Sequence, residues 1–124
     1  GLEYAPLLVP SVGNFRQGMI VQVPLQLCSL PGGPSPEDIH SALASHYAGQ
    51  RFVTVKPIEE TDKMTGLEPE GLNGTNDMHL YVFRNDETNQ VVVMGLIDNL
   101  GKGASGQVVQ NMNLMIGAPQ DFGF

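Results

Sequence analysis

Cysteine, tryptophan and basic residues are scarce in this sequence. Its 124 residues include one cysteine, Cys28, and no tryptophan. A single cysteine excludes an internal disulfide, and with the lack of a signal-like segment it predicts a reducing cytoplasm. No apolar run approaches the roughly 18 residues that a membrane-spanning helix needs, so we expect no membrane association.

Positive charge is also limited. Six Lys and Arg residues against 13 Asp and Glu residues give a formal net charge of −7. Nucleic-acid-binding proteins concentrate basic side chains to neutralise phosphates, so this balance argues against a nucleic-acid partner. It leaves room for a small anionic ligand held by one lysine and a few backbone N–H groups.

The length and the 41% hydrophobic content predict one globular domain over residues 1–124. The chain begins with Gly1 rather than methionine and turns apolar within five residues. We therefore expect a piece cut from a longer protein.

The first half of the chain predicts a strand, a helix and a second strand. Alternating apolar and polar residues over 19–27 indicate a half-buried strand, and Pro24 gives it a free side because proline cannot donate a ladder hydrogen bond. Ser35 is a good N-cap for a helix that starts at Pro36 and stops at Gly49. A strand over about 52–56 follows.

The second half predicts a long surface loop over 57–76, then a hairpin of strands at about 78–84 and 90–97. The second hairpin strand is nearly all apolar, which is typical of a central strand. The last helix is predicted over about 102–116, with four apolar residues spaced to pack on the sheet: Val108, Met112, Met115 and Ile116.

These elements, in the order β-α-β-β-β-α, predict an α+β domain in which a mixed or largely antiparallel sheet carries helices on one face. The other face would be bare. If that face is apolar, a partner must cover it, and we expect the chain to self-associate through it.

A glycine-rich turn with one cation, Gly101-Lys102-Gly103, opens the last helix. The first N–H groups of a helix favour an anion, and glycine lets a phosphate approach the backbone. The local pattern fits either a phosphate contact or a flexible turn with a solvated lysine. Four amide side chains follow in the helix: Gln107, Gln110, Asn111 and Asn113. The pattern leaves three alternatives for what they face, namely a neighbouring domain, a cofactor or solvent.

A second candidate site is the loop from Ser11 to Met19. Its Arg16 either binds a carboxylate or phosphate through its guanidinium fork or lies on the surface of a structural turn. No residues form a catalytic set. Cys28 has no base nearby and is predicted to be a half-buried, inert thiol. The scattered histidines predict structural or surface roles and no metal site: His40, His46 and His79.

Three segments together resemble the N-acetyl-gamma-glutamyl-phosphate reductase family of arginine biosynthesis. The segment "DNLGKGASGQVVQNMNLMIG" is very similar to the family's closing segment. "VPSVGNFRQGM" resembles the segment after its active-site histidine motif, and "NGTND" resembles an element between the two. The resemblance covers essentially the whole chain.

The resemblance implies a two-domain enzyme that reduces N-acetyl-gamma-glutamyl phosphate to the semialdehyde. An NADP-binding domain would precede this chain, which would be a substrate-binding and dimerisation domain of the glyceraldehyde-3-phosphate dehydrogenase C-terminal type, in a dimer or tetramer. The nucleophilic cysteine and the catalytic histidine would lie upstream, so the chain alone is expected to be inactive. The resemblance places Arg16 near the substrate phosphate and four residues beside the cofactor: Asn99, Gly101, Lys102 and Gly103.

Two alternatives stay open at this point. The chain could be a non-enzymatic dimerisation module of the same fold. It could also belong to a dehydrogenase of the aspartate-semialdehyde type, whose members have a similar Asn-Leu-x-Lys-Gly segment.

Overall fold

The computed structural model describes residue 5 and residues 7–124. Seven elements follow one another: β1 (Met19–Gln26), α1 (Pro36–His46), β2 (Val53–Val55), α2 (Ile58–Thr61), β3 (Met78–Asn85), β4 (Gln90–Ile97) and α3 (Gly106–Met115). A 3₁₀ turn, Leu27–Ser29, follows β1, and a π-helical turn, Gly101–Ser105, precedes α3. Within this described part, no helix has the length and apolar character needed to cross a bilayer.

The strands form one mixed sheet in the order β1-β4-β3-β2. β4 is antiparallel to both β1 and β3, whereas β2 is parallel to β3. The predicted α+β class, the hairpin, the inner position of β4 and the edge position of β1 are therefore confirmed. The hairpin turn is stabilised by the side chain of Asn85, which accepts hydrogen bonds from the N–H groups of Glu87 and Thr88.

Local signals fix the start of α1. The Ser35 hydroxyl accepts a hydrogen bond from the Asp38 N–H at 3.1 Å, and the Asp38 carboxylate accepts one from the Ser35 N–H at 2.9 Å. This capping box satisfies donors that have no partner inside the helix. The helix ends at His46, three residues before the predicted stop at Gly49. Its Ile39 and Leu43 pack on one sheet face, against a core cluster of Leu27, Val82 and Val91.

The predicted long loop contains α2 and covers part of the opposite sheet face. α2 has four residues, too few for a helical period to show in the sequence. The segment after it places Met64, Leu67 and Leu72 against Tyr81 and Leu96 of the sheet. The face opposite α1 is therefore partly covered by the chain itself, and not bare as predicted.

Two predicted core faces are exposed. In β1, Val21 and Val23 retain 46% and 47% of their accessible surface, because β1 is an edge strand and the core under α1 begins only at Leu25 and Leu27. In α3, the predicted sheet-packing residues are 53–86% exposed: Val108, Met112, Met115 and Ile116. The helix is instead held through two amide side chains, the partly buried Gln110 and the buried Asn113.

Candidate functional site

Asp98, the residue that follows β4, is a buried carboxylate that joins three loops. Its Oδ2 accepts hydrogen bonds from the Gly74 N–H at 2.7 Å and from Gln17 Nε2 at 3.1 Å. Its Oδ1 accepts from the N–H groups of Leu100 and Gly101 at 2.9 and 3.0 Å. The side chain is 2% exposed. Donors from three separate segments therefore converge on one charge.

Hydrogen bonding decides the protonation state of Asp98. The backbone bond from Gly74, together with those from Gly101 and Leu100 and the Gln17 amide, lowers the pKa of Asp98, although burial acts in the opposite direction. The group is thus a carboxylate at neutral pH. No role was predicted for Asp98 from the sequence. The available signal was an aspartate between a buried strand and a glycine-rich helix start, where a carboxylate can accept from the first amides.

The loop that carries Arg16 is anchored to the same place. Asn99 Oδ1 accepts a hydrogen bond from the Gly18 N–H at 2.7 Å, and Asn73 Nδ2 donates to the Gln17 carbonyl at 3.2 Å. Gly18 has a φ of 111° and lies so close to the Pro69 carbonyl that a Cβ would clash. Arg16 itself is exposed, one residue before these anchors.

The predicted cofactor turn forms the π-helical turn before α3. The Gly101 N–H donates to Asp98 Oδ1, and the Gly103 N–H donates to the Asp98 carbonyl at 2.9 Å. A Cβ on Gly101 would lie 2.8 Å from the Thr75 carbonyl oxygen, so close packing alone requires glycine there. The Asn99 side-chain oxygen is engaged with Gly18. Of the four predicted cofactor residues, Lys102 alone presents a charge.

Lys102 belongs to a polar cluster centred on the side chain of Gln110. The Lys102 Nζ donates to Gln110 Oε1 at 2.7 Å and lies 5.5 Å from the centroid of the Phe52 ring. Burial lowers the pKa of Lys102, and the charge of Asp77 opposes that change. Gln110 also accepts from Asn76 Nδ2 at 3.2 Å. Gln110 is therefore a structural bridge, and the solvent-facing alternative is wrong for it.

Asn113 is the fully buried amide of α3. It is 1% exposed, and its Nδ2 donates to the carbonyls of Gln120 and Phe122 at 3.3 and 2.8 Å. These bonds hold the segment after α3 against the helix, so the solvent-facing alternative is wrong here too. Gln107 and Asn111 are exposed.

An open cavity of about 430 Å³ lies beside the start of α3. Backbone of Gly101 and Gly106 forms one wall, and the Phe52 ring and the side chain of Asn76 contribute to the lining. Arg51 lies at this cavity and is paired with Asp121 at 3.2 Å. The cavity can accept a small polar group next to the predicted cofactor turn.

The cysteine and the histidines lie apart from this cluster. Cys28 is exposed, and not half-buried as predicted, because in the 3₁₀ turn after β1 it is the neighbouring Leu27 that enters the core. His40 Nε2 lies 3.1 Å from the Lys56 carbonyl, and His79 Nδ1 lies 3.4 Å from the Tyr81 hydroxyl. Over residues 5 and 7–124, no three metal-ligating side chains come together.

The fold defines a class of domain: a mixed sheet in which the loops before β1 and β3 meet the segment after β4 at a buried aspartate. A family model described as "Semialdehyde dehydrogenase, dimerisation domain" matches residues 1–99, and the chain belongs to this family.

Three of the proteins to which this chain is similar are named as N-acetyl-gamma-glutamyl-phosphate reductases. An N-acetyl-gamma-glutamyl-phosphate reductase of Burkholderia lata is 51% identical over 118 residues, which cover 95% of this chain and 38% of the relative. One of Brucella ovis is 53% identical over 116 residues, 94% of this chain and 37% of the relative. An N-acetyl-gamma-glutamyl-phosphate reductase 2 of Nostoc sp. is 46% identical over 126 aligned residues, 99% of this chain and 39% of the relative. The chain thus spans less than two fifths of the length of these relatives.

Proposed function

We propose that this chain is the substrate-binding and dimerisation domain, residues 1–124, of an N-acetyl-gamma-glutamyl-phosphate reductase. The intact protein would reduce the acyl phosphate to the semialdehyde in arginine biosynthesis with NADPH, and a preceding domain would hold most of the cofactor. A cytoplasmic location stays a prediction.

One observation supports this proposal above the others. The three segments that resemble the reductase family are far apart in sequence, yet they meet at Asp98 through Gln17, Gly74 and Gly101. A shared dimerisation fold alone gives no reason for these segments to converge. A common binding site for substrate and cofactor explains why they meet.

The residues suit two anionic ligands. Arg16 is exposed on an anchored loop and has the planar fork that binds a phosphate through two donors, so we assign it to the substrate. Lys102 is a half-buried cation that directly follows Gly101, a residue of the cavity wall, and an anionic cofactor would stabilise its charged form. When bound, NADPH supplies the hydride, and Asn99, Gly101 and Gly103 shape the turn that presents Lys102.

Two exposed apolar surfaces fit two partners. The β1 surface, consisting of Met19, Val21 and Val23, is 36–47% exposed and lies on the same sheet face as α1. We assign it to a second copy of the chain, since burying such a surface favours association. The apolar side of α3 follows directly on the proposed cofactor turn. We therefore assign it to the missing dinucleotide-binding domain.

The test is NADPH oxidation by the intact protein that contains this chain, with N-acetyl-gamma-glutamyl phosphate or aspartyl phosphate as substrate. We expect turnover with the first substrate and little with the second. In Arg16→Ala we expect KM for the acyl phosphate to rise about tenfold, equivalent to ~1.4 kcal/mol. Lys63→Ala removes one exposed positive charge elsewhere and serves as the matched control.

The other outcomes separate the alternatives. A preference for aspartyl phosphate would place the protein with the aspartate-semialdehyde dehydrogenases. No oxidation with either substrate, from a correctly folded intact protein, would favour the non-enzymatic dimerisation module.

A further inference from the structure

We propose that Asp98 is a positioning residue that fixes the loop carrying Arg16 against the turn carrying Lys102. This inference rests on the proposed function, in which these two cations serve the substrate and the cofactor. Asp98 would touch neither ligand. Its role would be to set the spacing at which the two are held.

The geometry places Asp98 between the two segments. Gln17, which donates to Oδ2, directly follows Arg16 in the chain. Gly101, which donates to Oδ1, directly precedes Lys102. Each cation is therefore one residue from a group that is hydrogen-bonded to the same carboxylate. Hydrogen bonds to an ionised acceptor are stronger than neutral ones, and a buried site shields them from water.

A third segment makes the carboxylate a fixed point. The Gly74 N–H donates to Oδ2 at 2.7 Å, and Asp98 itself directly follows the inner strand β4. The sheet thus fixes the position of the carboxylate, and the carboxylate in turn fixes the positions of the two outer loops. Misplacing reacting groups by about 1 Å can cost roughly 100-fold in rate, so such a reference point matters for hydride transfer.

Asp98 also determines which groups remain for a ligand anion. The N–H groups of Leu100 and Gly101, at the start of the terminal helical segment, both donate to Oδ1. A negative charge inside the protein thus already occupies the place where a helix start would attract a phosphate. Among the side chains of this turn, the positive charge that remains for a ligand anion is that of Lys102.

The first test is steady-state kinetics on the intact protein with Asp98→Asn and Gln17→Ala. Asp98→Asn removes the charge that all three segments share, so we expect kcat/KM to fall by about 100-fold. Gln17→Ala removes only the hydrogen bond between the Arg16 loop and Asp98, and it leaves the three backbone donors on Asp98. We expect it to raise KM for the acyl phosphate by about tenfold and to leave KM for NADPH unchanged.

Asp38→Asn is the matched control. It makes the same carboxylate-to-amide change at another carboxylate that accepts a backbone hydrogen bond, in the capping box of α1. We expect lower stability and unchanged kinetics. If Asp98→Asn and Gln17→Ala likewise lower only stability, with both KM values and kcat within twofold of wild type, the positioning role is wrong.

A second readout does not depend on turnover. The Gly18 N–H bonds to Asn99 and not to Asp98. If Asp98 positions the whole loop, Asp98→Asn will lower the hydrogen-exchange protection of Gly18 as well as that of Gly74 and Gly101. Loss confined to Gly74, Leu100 and Gly101 would contradict the proposal. Turnover by the wild-type protein tests the proposed function separately. Failure of the proposed function can therefore be told apart from failure of the positioning role of Asp98.

Discussion

The side-chain oxygen of Asn76 lies directly against Gly106, in the first turn of α3. A Cβ built on Gly106 would overlap that oxygen and would also lie 3.0 Å from the Gly101 carbonyl oxygen. Asn76 is 6% exposed, and its amide nitrogen is hydrogen-bonded to Gln110. The start of α3 therefore sits at its observed distance from the loop before β3 because residue 106 has no side chain.

Gly106→Ala should destabilise the protein. Alanine in a helix is ordinarily favoured over glycine by about 1 kcal/mol, so a loss of stability would report the clash with Asn76 and not helix propensity. We expect the free energy of unfolding to fall by about 1–3 kcal/mol, as for other overpacked sites. Urea denaturation measures it.

Gly66→Ala is the control for this substitution. A Cβ on Gly66 would meet no atom within 4 Å, and its φ is not in the left-handed region. We expect its stability to stay within about 0.5 kcal/mol of wild type or to rise slightly. A Gly106→Ala protein as stable as Gly66→Ala would show that Asn76 moves away freely.

Asp98→Asn should make stability less dependent on pH. Because the folded-state pKa of Asp98 is lowered, its contribution is present above its unfolded value of about 3.9 and is lost as pH falls through the folded value. The difference in unfolding free energy between wild type and Asp98→Asn should therefore shrink between about pH 6 and about pH 2. A constant difference over that range would contradict a charged Asp98.

Lys102→Met should weaken cofactor binding more than it weakens the fold. Methionine keeps the length of the apolar stem but removes the charged Nζ, whose burial lowers the pKa of Lys102 and which lies 5.5 Å from the centroid of the Phe52 ring. In the intact protein we expect KM for NADPH to rise about tenfold. The free energy of unfolding should fall by no more than about 1 kcal/mol for the lost hydrogen bond to Gln110, which still accepts from Asn76. Lys63→Met, at an exposed position, should change neither. Equal KM values for NADPH in the two variants would show that Lys102 does not bind the cofactor.

Asn113→Ala should release the segment after α3. The Asn113 amide donates to two carbonyls of that segment from a position that is 1% exposed. Losing both bonds should cost about 1–3 kcal/mol of unfolding free energy. Asn111→Ala, at an exposed position of the same helix, should cost less than about 0.5 kcal/mol. Equal losses of unfolding free energy at the two positions would contradict the role of Asn113 in holding the segment after α3.

Local signals in the sequence predicted the elements well. Ser35, Pro36 and Asp38 specify the start of α1 within four residues, and the apolar run of β4 predicted an inner strand. Such features depend on neighbours in the chain. The four-residue α2 was missed because a single turn has no detectable period.

The sequence could not predict what covers each apolar face. The periods of β1 and α3 correctly indicated that Val21 and Val23, and Val108 and Met112, share faces. They could not tell whether this chain or a partner buries those faces, because periodicity carries no information about the neighbour. Asp98 was missed for a related reason: two of its donors, Gln17 and Gly74, lie 81 and 24 residues away.

The β1 surface predicts how the protein associates. Val21→Lys introduces a charge into a face that we assign to a second copy of the chain, so we expect the mass of the intact protein in equilibrium sedimentation to fall towards the monomer. Gln22→Lys adds the same charge on the other face of β1 and is the control. An unchanged mass for Val21→Lys would show that the interface between copies lies elsewhere on the protein.

We propose that this chain forms half of a reductase site whose nucleophile and main cofactor domain lie outside residues 1–124. The most direct measurement compares NADPH-dependent reduction of N-acetyl-gamma-glutamyl phosphate by the intact protein and by residues 1–124 alone. We expect turnover by the intact protein and none by the isolated chain. Turnover by the isolated chain, or no turnover by the folded intact protein, would contradict this proposal.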